Sequence, residues 1–192
     1  DIKYYSFFIK KRNGGKREIL RPHIKLLRLQ RILSRKLDEC IPTVDANNSS
    51  NNFNHGYQKG KSIATNARQH RKKRWVLNLD IKNFFDSINF GRVRGALIKD
   101  KAFLFNENIA TIIAQIACFE NKLPQGAPTS PIISNIVSRS LDLKLLSIAA
   151  KNGCVYTRYV DDITFSTSKK EFPSEIAEAD SPESNAWRIS NK

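Results

Sequence analysis

The 192-residue sequence has no methionine, only three cysteines and no long apolar run. A transmembrane helix needs about 20 consecutive apolar residues, so a membrane-spanning protein is excluded, and without a signal-peptide pattern we expect a cytoplasmic protein. Cys40, Cys118 and Cys154 are odd in number and widely spaced, which predicts neither a disulfide framework nor a metal site. Acidic residues are also scarce, with 18 Asp and Glu against 33 Lys and Arg and a formal net charge of +15. That surplus predicts a polyanionic partner: nucleic acid first, with a basic structural protein or an anionic membrane surface as alternatives.

Apolar periodicity predicts helices interleaved with a few short strands, an α+β fold with helices on one face of an antiparallel sheet. A hairpin with a basic turn is predicted for residues 4–20, and an Asn- and Ser-rich mobile loop for 46–54. A strand at 75–81 and a strand–turn–strand at 154–166 complete the strands. The predicted helices cover residues 24–37, 63–71, 89–99, 106–119 and 130–150. A further element is expected to begin near residue 187.

Three aspartates stand at the ends of predicted strands. Asp80 ends an apolar strand, and Asp161 and Asp162 occupy the turn of the later hairpin. Taken alone, Asp80 is more often a strand terminator or helix cap, and an Asp-Asp pair is more often a solvated turn. Together they can converge at one sheet edge, where adjacent carboxylates that repel one another are neutralised by divalent cations. Two hard cations about 4 Å apart are the arrangement that two-metal phosphoryl transfer requires.

A loop with one glycine and two prolines precedes the longest predicted helix. Within it, Gly126 permits close backbone approach to a ligand, and Gln125 can both donate and accept hydrogen bonds. A rigid loop that begins a helix explains this segment equally well when it is taken by itself.

Four segments in this order resemble the motifs of reverse transcriptases. The palm motifs correspond to LDIKNFFDSI (79–88), LPQGAPTSP (123–131) and YTRYVDDITFS (156–166). The segment HGYQKGKSIATNARQH (55–70) contains an N-A-x-x-H signature that resembles the bacterial retron type. The resemblance covers nearly the whole chain. Any one of these motifs could occur by chance, but their occurrence together in one chain is very improbable by chance. One departure is Val160, where retron enzymes commonly have alanine.

The resemblance implies roles for individual residues. Asp80, Asp161 and Asp162 are implied to be catalytic and to bind two Mg²⁺ ions, with Ile81 supplying a further metal ligand through its carbonyl. The implied dNTP-binding residues include phosphate-gripping cations and an aromatic steric gate, and they are Lys16, Arg17, Asn83, Phe84, Phe85 and Gln125. The residues implied to contact primer or template are Tyr159, Val160, Gly126, Arg68 and His70. For His70 a structural role stays open beside the RNA contact.

The resemblance also implies an architecture and a biological setting. It implies right-hand polymerase fingers at 1–75 and a palm at 76–192, with 100–130 partly in the fingers and the end of the palm and the thumb missing. The partners would be an RNA template and primer from a structured non-coding RNA, dNTPs, the DNA product and an effector protein, with no membrane partner, in antiviral defence. Alternatives are a group II intron or diversity-generating reverse transcriptase, or a non-catalytic RNA-binding scaffold of the same fold.

Overall fold

The computed structural model describes residues 4–11, 14–41, 52–100, 103–177 and 189–191. The strands are β1 (Tyr4–Lys10), β2 (Lys16–Pro22), β3 (Trp75–Ile81), β4 (Val155–Tyr159), β5 (Asp162–Thr167) and β6 (Ile189–Asn191). The helices are α1 (Ile24–Cys40), α2 (Ile63–Gln69), α3 (Phe84–Ser87), α4 (Phe90–Lys99), α5 (Glu107–Ala117), α6 (Ser130–Lys151) and α7 (Ser174–Ala177). None of the described helices is long and apolar enough to cross a membrane. The mixture of helices and antiparallel sheets confirms the predicted α+β class.

The chain forms two compact units, each built from two stretches of sequence. Unit 1 comprises Asp1–Asn47 and Phe85–Val137, and unit 2 comprises Asn48–Phe84 and Ser138–Lys192. The boundaries fall inside α3 and α6, so both helices contribute to both units. Residues 48–75, predicted as part of the fingers, belong to the same unit as the acidic hairpin. The assignment of fingers and palm to residue ranges stays a prediction.

Unit 1 combines the hairpin of β1 and β2 with α1, α4 and α5. The hairpin is antiparallel and runs in register from Tyr4 opposite Pro22 to Lys10 opposite Lys16, as predicted. Inside the unit the fully buried amide of Gln30 donates hydrogen bonds to the Tyr4 hydroxyl (2.9 Å) and to the Ile116 carbonyl (2.8 Å). This buried polar side chain therefore ties α1 to both the hairpin and α5.

Two helices of unit 1, α4 and α5, begin where the sequence places cap residues. The Asn89 side chain accepts from the Arg92 N–H at the start of α4, and the Asn106 side chain accepts from the Ile109 N–H at the start of α5. Each cap satisfies one of the N–H groups that a first helical turn leaves unpaired. Apolar residues at helical spacing are then buried inside the unit: Val93, Leu97, Ala110, Ile113, Ala114 and Ala117.

Unit 2 is built on a four-stranded antiparallel sheet in the order β4-β5-β3-β6. Ser62 begins α2 with a capping box, in which its side chain and that of Thr65 bond to each other's backbone N–H. α2 packs against β4, and the part of α6 after residue 138 reaches β4 through Asp142. The buried apolar side chains include Phe53, Leu79, Ile81, Leu145, Ala149, Tyr156, Ile163 and Phe165. Strand β6 confirms the element expected near the end of the sequence.

The prediction of a mobile loop at 46–54 is wrong for its last two residues, while 46–51 lie outside the described residues. Phe53 and Asn54 are buried, at 8% exposure each. The Arg158 N–H donates to the Phe53 carbonyl (2.7 Å), and the His55 N–H donates to the Arg158 carbonyl (2.8 Å). These bonds form an isolated parallel bridge between Asn54 and Arg158. Composition predicted a mobile loop, but Phe53 and Asn54 at its end are held in place by backbone pairing to β4 and by burial of the Phe53 ring.

Candidate active site

The register of unit 2 places two of the three predicted carboxylates directly opposite one another. Asp80 on β3 pairs with Asp162 on β5. Residues directly opposite in an antiparallel ladder project from the same face, with Cβ atoms about 4.5–5.5 Å apart. Two like charges in that relation destabilise the strand pair unless a cation lies between them. The arrangement therefore favours occupation by a metal ion.

The third carboxylate belongs to the turn between β4 and β5. The Ile81 N–H donates to the Asp161 carbonyl over 3.0 Å, which fixes the turn to the end of β3. Before it, Val160 has a φ of 61°, in the left-handed region that β-branched residues rarely adopt. Asp80 and Asp161 are half-buried, whereas Asp162 is exposed. The structure thus brings the backbones of all three aspartates to one end of the sheet.

The chemistry of these donors fits divalent cations. Carboxylate and carbonyl oxygens are the ligands that Mg²⁺ takes in proteins. Across the residues that the structure describes, no group of three or more His, Cys, Asp or Glu side chains is arranged to hold a metal ion. Metal binding by Asp80, Asp161, Asp162 and the Ile81 carbonyl stays a prediction.

A buried ion pair lies next to the turn, and sequence reasoning missed it. Arg158 Nε and Nη2 donate to the two carboxylate oxygens of Asp142 at 2.7 and 2.8 Å, and both side chains are almost fully buried. The Tyr156 hydroxyl donates to the same carboxylate at 2.7 Å. Burial opposes the charge on Arg158, but the adjacent Asp142 carboxylate more than offsets it and raises the pKa of the guanidinium. Burial and the Asp142 charge likewise raise the pKa of Tyr156.

A signal for this pair was present in the sequence. Asp142 shares one face of α6 with Leu145 and Ala149, which are buried. An acidic residue at helical spacing on an apolar face requires a buried partner. The arginine of YTRYVDD is the charge that supplies it.

His70 of the N-A-x-x-H signature is a buried structural residue. Its Nδ1 lies 2.7 Å from Ser166 Oγ, and its Nε2 lies 2.7 Å from Thr157 Oγ1. Burial, with smaller effects from nearby cationic groups, lowers its pKa from 6.5 to about 4. The ring therefore bridges β4 and β5 as a neutral group, and this contact set favours the structural role over direct RNA contact. Arg68, two residues earlier in the last turn of α2, is exposed and stays a predicted primer or template contact.

Unit 1 collects most of the residues predicted to bind the nucleotide. Lys16 and Arg17 are exposed on β2. Further along that strand, the Leu20 N–H donates to the Gln125 carbonyl at 2.7 Å. The Phe85 carbonyl accepts from the Leu123 N–H at 3.3 Å. The loop at 123–128 is thus bonded at one side to β2 and at the other to Phe85.

Gly126 was predicted to permit close backbone approach to a ligand, and the structure instead shows it packed closely against β2. Its φ is 118°, and an added Cβ would lie 2.8 Å from Ile19 Cγ2 and 3.0 Å from the Leu20 carbonyl oxygen. A side chain at this position would therefore separate the loop from the strand. Contact of Gly126 with primer or template stays a prediction.

The remaining predicted residues differ in accessibility. Asn83 is exposed in a left-handed turn with a φ of 50°, and Phe85 is half-buried. Phe84 is only 3% exposed, so any contact that it makes with a nucleotide would come from its backbone. Tyr159, which pairs with Asp162 at the end of the β4–β5 ladder, and Val160, which follows it, are both half-buried.

The comparisons with known proteins identify the class. Residues 9–183 match the family model described as reverse transcriptase (RNA-dependent DNA polymerase). The chain belongs to the reverse transcriptase family.

The curated relatives are retron enzymes. The chain is 33% identical to the retron Ec86 reverse transcriptase of Escherichia coli over 168 residues, covering 86% of this chain and 49% of that protein. It is 36% identical to the retron Mx162 reverse transcriptase of Myxococcus xanthus over 188 residues, covering 88% of this chain and 37% of that protein. The chain thus spans half or less of the length of these relatives.

Solved structures show the same fold at low sequence identity. Telomerase from Candida albicans, in complex with a TWJ fragment of telomeric RNA, superposes with a TM-score of 0.60 at 13% identity over 91% of this chain and 39% of that one. Apo telomerase from Candida tropicalis gives a TM-score of 0.60 at 14% identity over 91% and 40% of the two chains. With the family match, this similarity confirms the predicted fold of polymerase fingers and palm.

Proposed function

We propose that this chain carries the polymerising site of a retron-type reverse transcriptase, which adds deoxynucleotides to a primer 3′-hydroxyl on an RNA template. The observation that carries the proposal is the register that sets Asp80 opposite Asp162, next to a turn that contains Asp161. Two opposed carboxylates with a third beside them repel one another and so destabilise the strand pair, but their oxygens are suitable ligands for divalent cations. The retron relatives supply the choice of template and sugar.

Two Mg²⁺ ions, held by Asp80, Asp161, Asp162 and the Ile81 carbonyl, would lower the pKa of the primer hydroxyl and stabilise charge on the leaving pyrophosphate. The protein's own part is to position and to neutralise. Lys16 and Arg17 would bind the triphosphate, where an Arg fork can grip two phosphate oxygens at once. Substitution of one residue at a time can test each of these roles.

Several residues would choose the sugar and hold the strands. The Phe85 ring would exclude a ribose 2′-hydroxyl, with Asn83, Phe84 and Gln125 around the incoming nucleotide. Tyr159, Val160, Gly126 and Arg68 would contact primer or template. A structured non-coding RNA would serve as template and primer in a cytoplasmic antiviral system, together with an effector protein.

The net charge of +15 supports a nucleic-acid partner without selecting among related enzymes. A group II intron or diversity-generating reverse transcriptase would share the same aspartates. A scaffold that binds RNA without catalysis would have no use for opposed carboxylates beside a polyanion, since they repel both each other and the RNA.

Extension of a labelled primer on an RNA template tests the proposal. The full-length protein should incorporate dNTPs in Mg²⁺ and discriminate against rNTPs, and Asp161→Asn should lower kcat by at least about a hundredfold because a metal ligand is lost. Asp86→Asn is the matched control, since Asp86 is exposed and lies 3.7 Å from Lys122. Equal incorporation by Asp161→Asn and the parent would refute an aspartate-dependent polymerase.

A further inference from the structure

The turn that carries Asp161 and Asp162 contains a backbone conformation that the local sequence does not favour. Val160 has a φ of 61°. A β-branched residue in the left-handed region costs roughly 1–3 kcal/mol and persists only when the surroundings enforce it. The contacts around Val160 must therefore hold its backbone in this conformation.

One such contact comes from the buried arginine. Arg158 Nη1 donates to the Val160 carbonyl at 2.8 Å. The same guanidinium is held at its other edge by both oxygens of Asp142, on α6. A planar guanidinium with fixed donors cannot rotate toward the turn without breaking its fork with Asp142. The ion pair thus fixes the direction in which the Val160 carbonyl points.

A second contact comes from the segment before α2. The backbone around Asn54 bridges Arg158, and at Gly56 an added Cβ would lie 2.4 Å from the Val160 nitrogen and 2.9 Å from its Cγ2. The chain at Gly56 therefore packs directly against the Val160 backbone. Together the guanidinium and Gly56 confine this residue from two directions.

We propose that Asp142 and Arg158 are positioning residues that hold the Val160 carbonyl and thereby aim Asp161 and Asp162 toward Asp80. The inference rests on the proposed function, because aiming these carboxylates matters only if they bind the catalytic metal ions. Neither residue needs to touch substrate or metal, since the guanidinium acts through the backbone of the turn. Asp142 serves as the anchor that neutralises the buried guanidinium and fixes its orientation.

A double substitution separates this role from simple stability. Asp142→Leu with Arg158→Met replaces both charges by apolar groups of similar size, a change that buried pairs often tolerate. Arg158→Lys provides a second variant: it keeps a charge for Asp142, but a point charge cannot form the fork and the bond to Val160 together. Tyr156→Phe is the matched control, because it removes a hydrogen bond to the same carboxylate and leaves the guanidinium in place.

Amide hydrogen exchange of residues 160–163 provides a readout that does not depend on catalysis. Both the double variant and Arg158→Lys should exchange there at least about tenfold faster than the parent, while α4 and α5 keep their protection and Tyr156→Phe resembles the parent. Unchanged exchange at the turn in a folded variant would overturn the inference. Equally increased exchange in Tyr156→Phe would also overturn it, because the guanidinium contact would then not be the cause.

Primer extension then tests the consequence for chemistry. The kcat of Arg158→Lys should fall at least about tenfold with a nearly unchanged KM for dNTP, since the proposed triphosphate-binding cations are untouched. Adding Val160→Gly should recover part of that loss, because glycine adopts a positive φ without needing the guanidinium contact to enforce it. An equal rise in KM, or no recovery with glycine, would contradict positioning through Val160. A parent protein that extends no primer would refute the proposed function and leave the exchange result to decide the inference.

Discussion

At the scale of single residues, His70 shows how a polar side chain becomes a structural part of the sheet. Its two ring nitrogens bond to hydroxyl groups on β5 and β4, and burial lowers its pKa to about 4. A histidine motif in an RNA-binding family invites a reading as an RNA contact. The structure instead points both nitrogens into the strands that carry the acidic turn.

The lowered pKa of His70 predicts acid sensitivity. An unfolded chain binds a proton at this residue below about pH 6.5, whereas the folded chain does not until about pH 4. Its contribution to stability is therefore complete above about pH 6.5 and is lost progressively as the pH falls toward about 4. Urea unfolding of His70→Gln between these pH values should show a flatter pH dependence, by up to about one proton.

His23→Gln is the control for that experiment, since His23 belongs to unit 1 and has no part in the β4–β5 contacts. If His70→Gln and the parent lose stability in parallel over this window, the neutral bridging role of His70 is wrong.

At the scale of elements, the loop at 123–128 and strand β2 fit together through one glycine. Gly126 has a φ of 118°, and the space beside it is filled by Ile19 and the Leu20 carbonyl. Gly126→Ala should lower the free energy of unfolding by about 1–3 kcal/mol, because alanine is strained at this φ and meets backbone that cannot move cheaply. Urea denaturation with an unchanged m-value measures the loss.

A second glycine offers the opposite expectation. Gly95 lies within α4 and has open space where a Cβ would be placed. Gly95→Ala should raise stability by roughly 0.5–1 kcal/mol through helix propensity alone. If both alanine variants were equally stable, the close packing of the loop on β2 would not matter for the fold.

Most elements were predictable because their signals are local. Asn89 and Asn106 are favourable N-cap residues and predict the starts of the helices that they cap. The apolar strand that contains Asp80 is bounded by polar residues on both sides. Convergence of Asp80 with Asp161 and Asp162 at one sheet edge was also expected, but only the register of the sheet shows that Asp80 pairs with Asp162. Local patterns thus led from the sequence to the end of the sheet where the site lies.

Other features depend on partners far away in the sequence. The bridge of Asn54 to Arg158 orders a segment whose composition predicts a loop, and the Asp142–Arg158 pair joins a helix to a strand. The left-handed conformation of Val160 is likewise enforced by its surroundings, through the Arg158 guanidinium and the backbone at Gly56. A buried acidic residue such as Asp142 on an apolar helix face signals that a partner exists. Tertiary packing decides which contacts then form, and local patterns do not show it.

At the scale of the whole molecule, the proposed reaction draws on both units. The three aspartates and their positioning pair belong to unit 2, whereas Lys16, Arg17, Phe85 and Gln125 belong to unit 1. A net charge of +15 provides the long-range attraction that a nucleic-acid substrate requires.

The central claim is that Asp80 and the Asp161–Asp162 turn hold divalent cations together. Anomalous diffraction from Mn²⁺ bound to the full-length protein with primed RNA and a dNTP tests it most directly. We predict a peak at coordination distance from carboxylate oxygens of both Asp80 and Asp161, which disappears in Asp80→Asn. Mn²⁺ bound by the turn alone, with the Asp80 carboxylate outside its coordination sphere, would contradict the account.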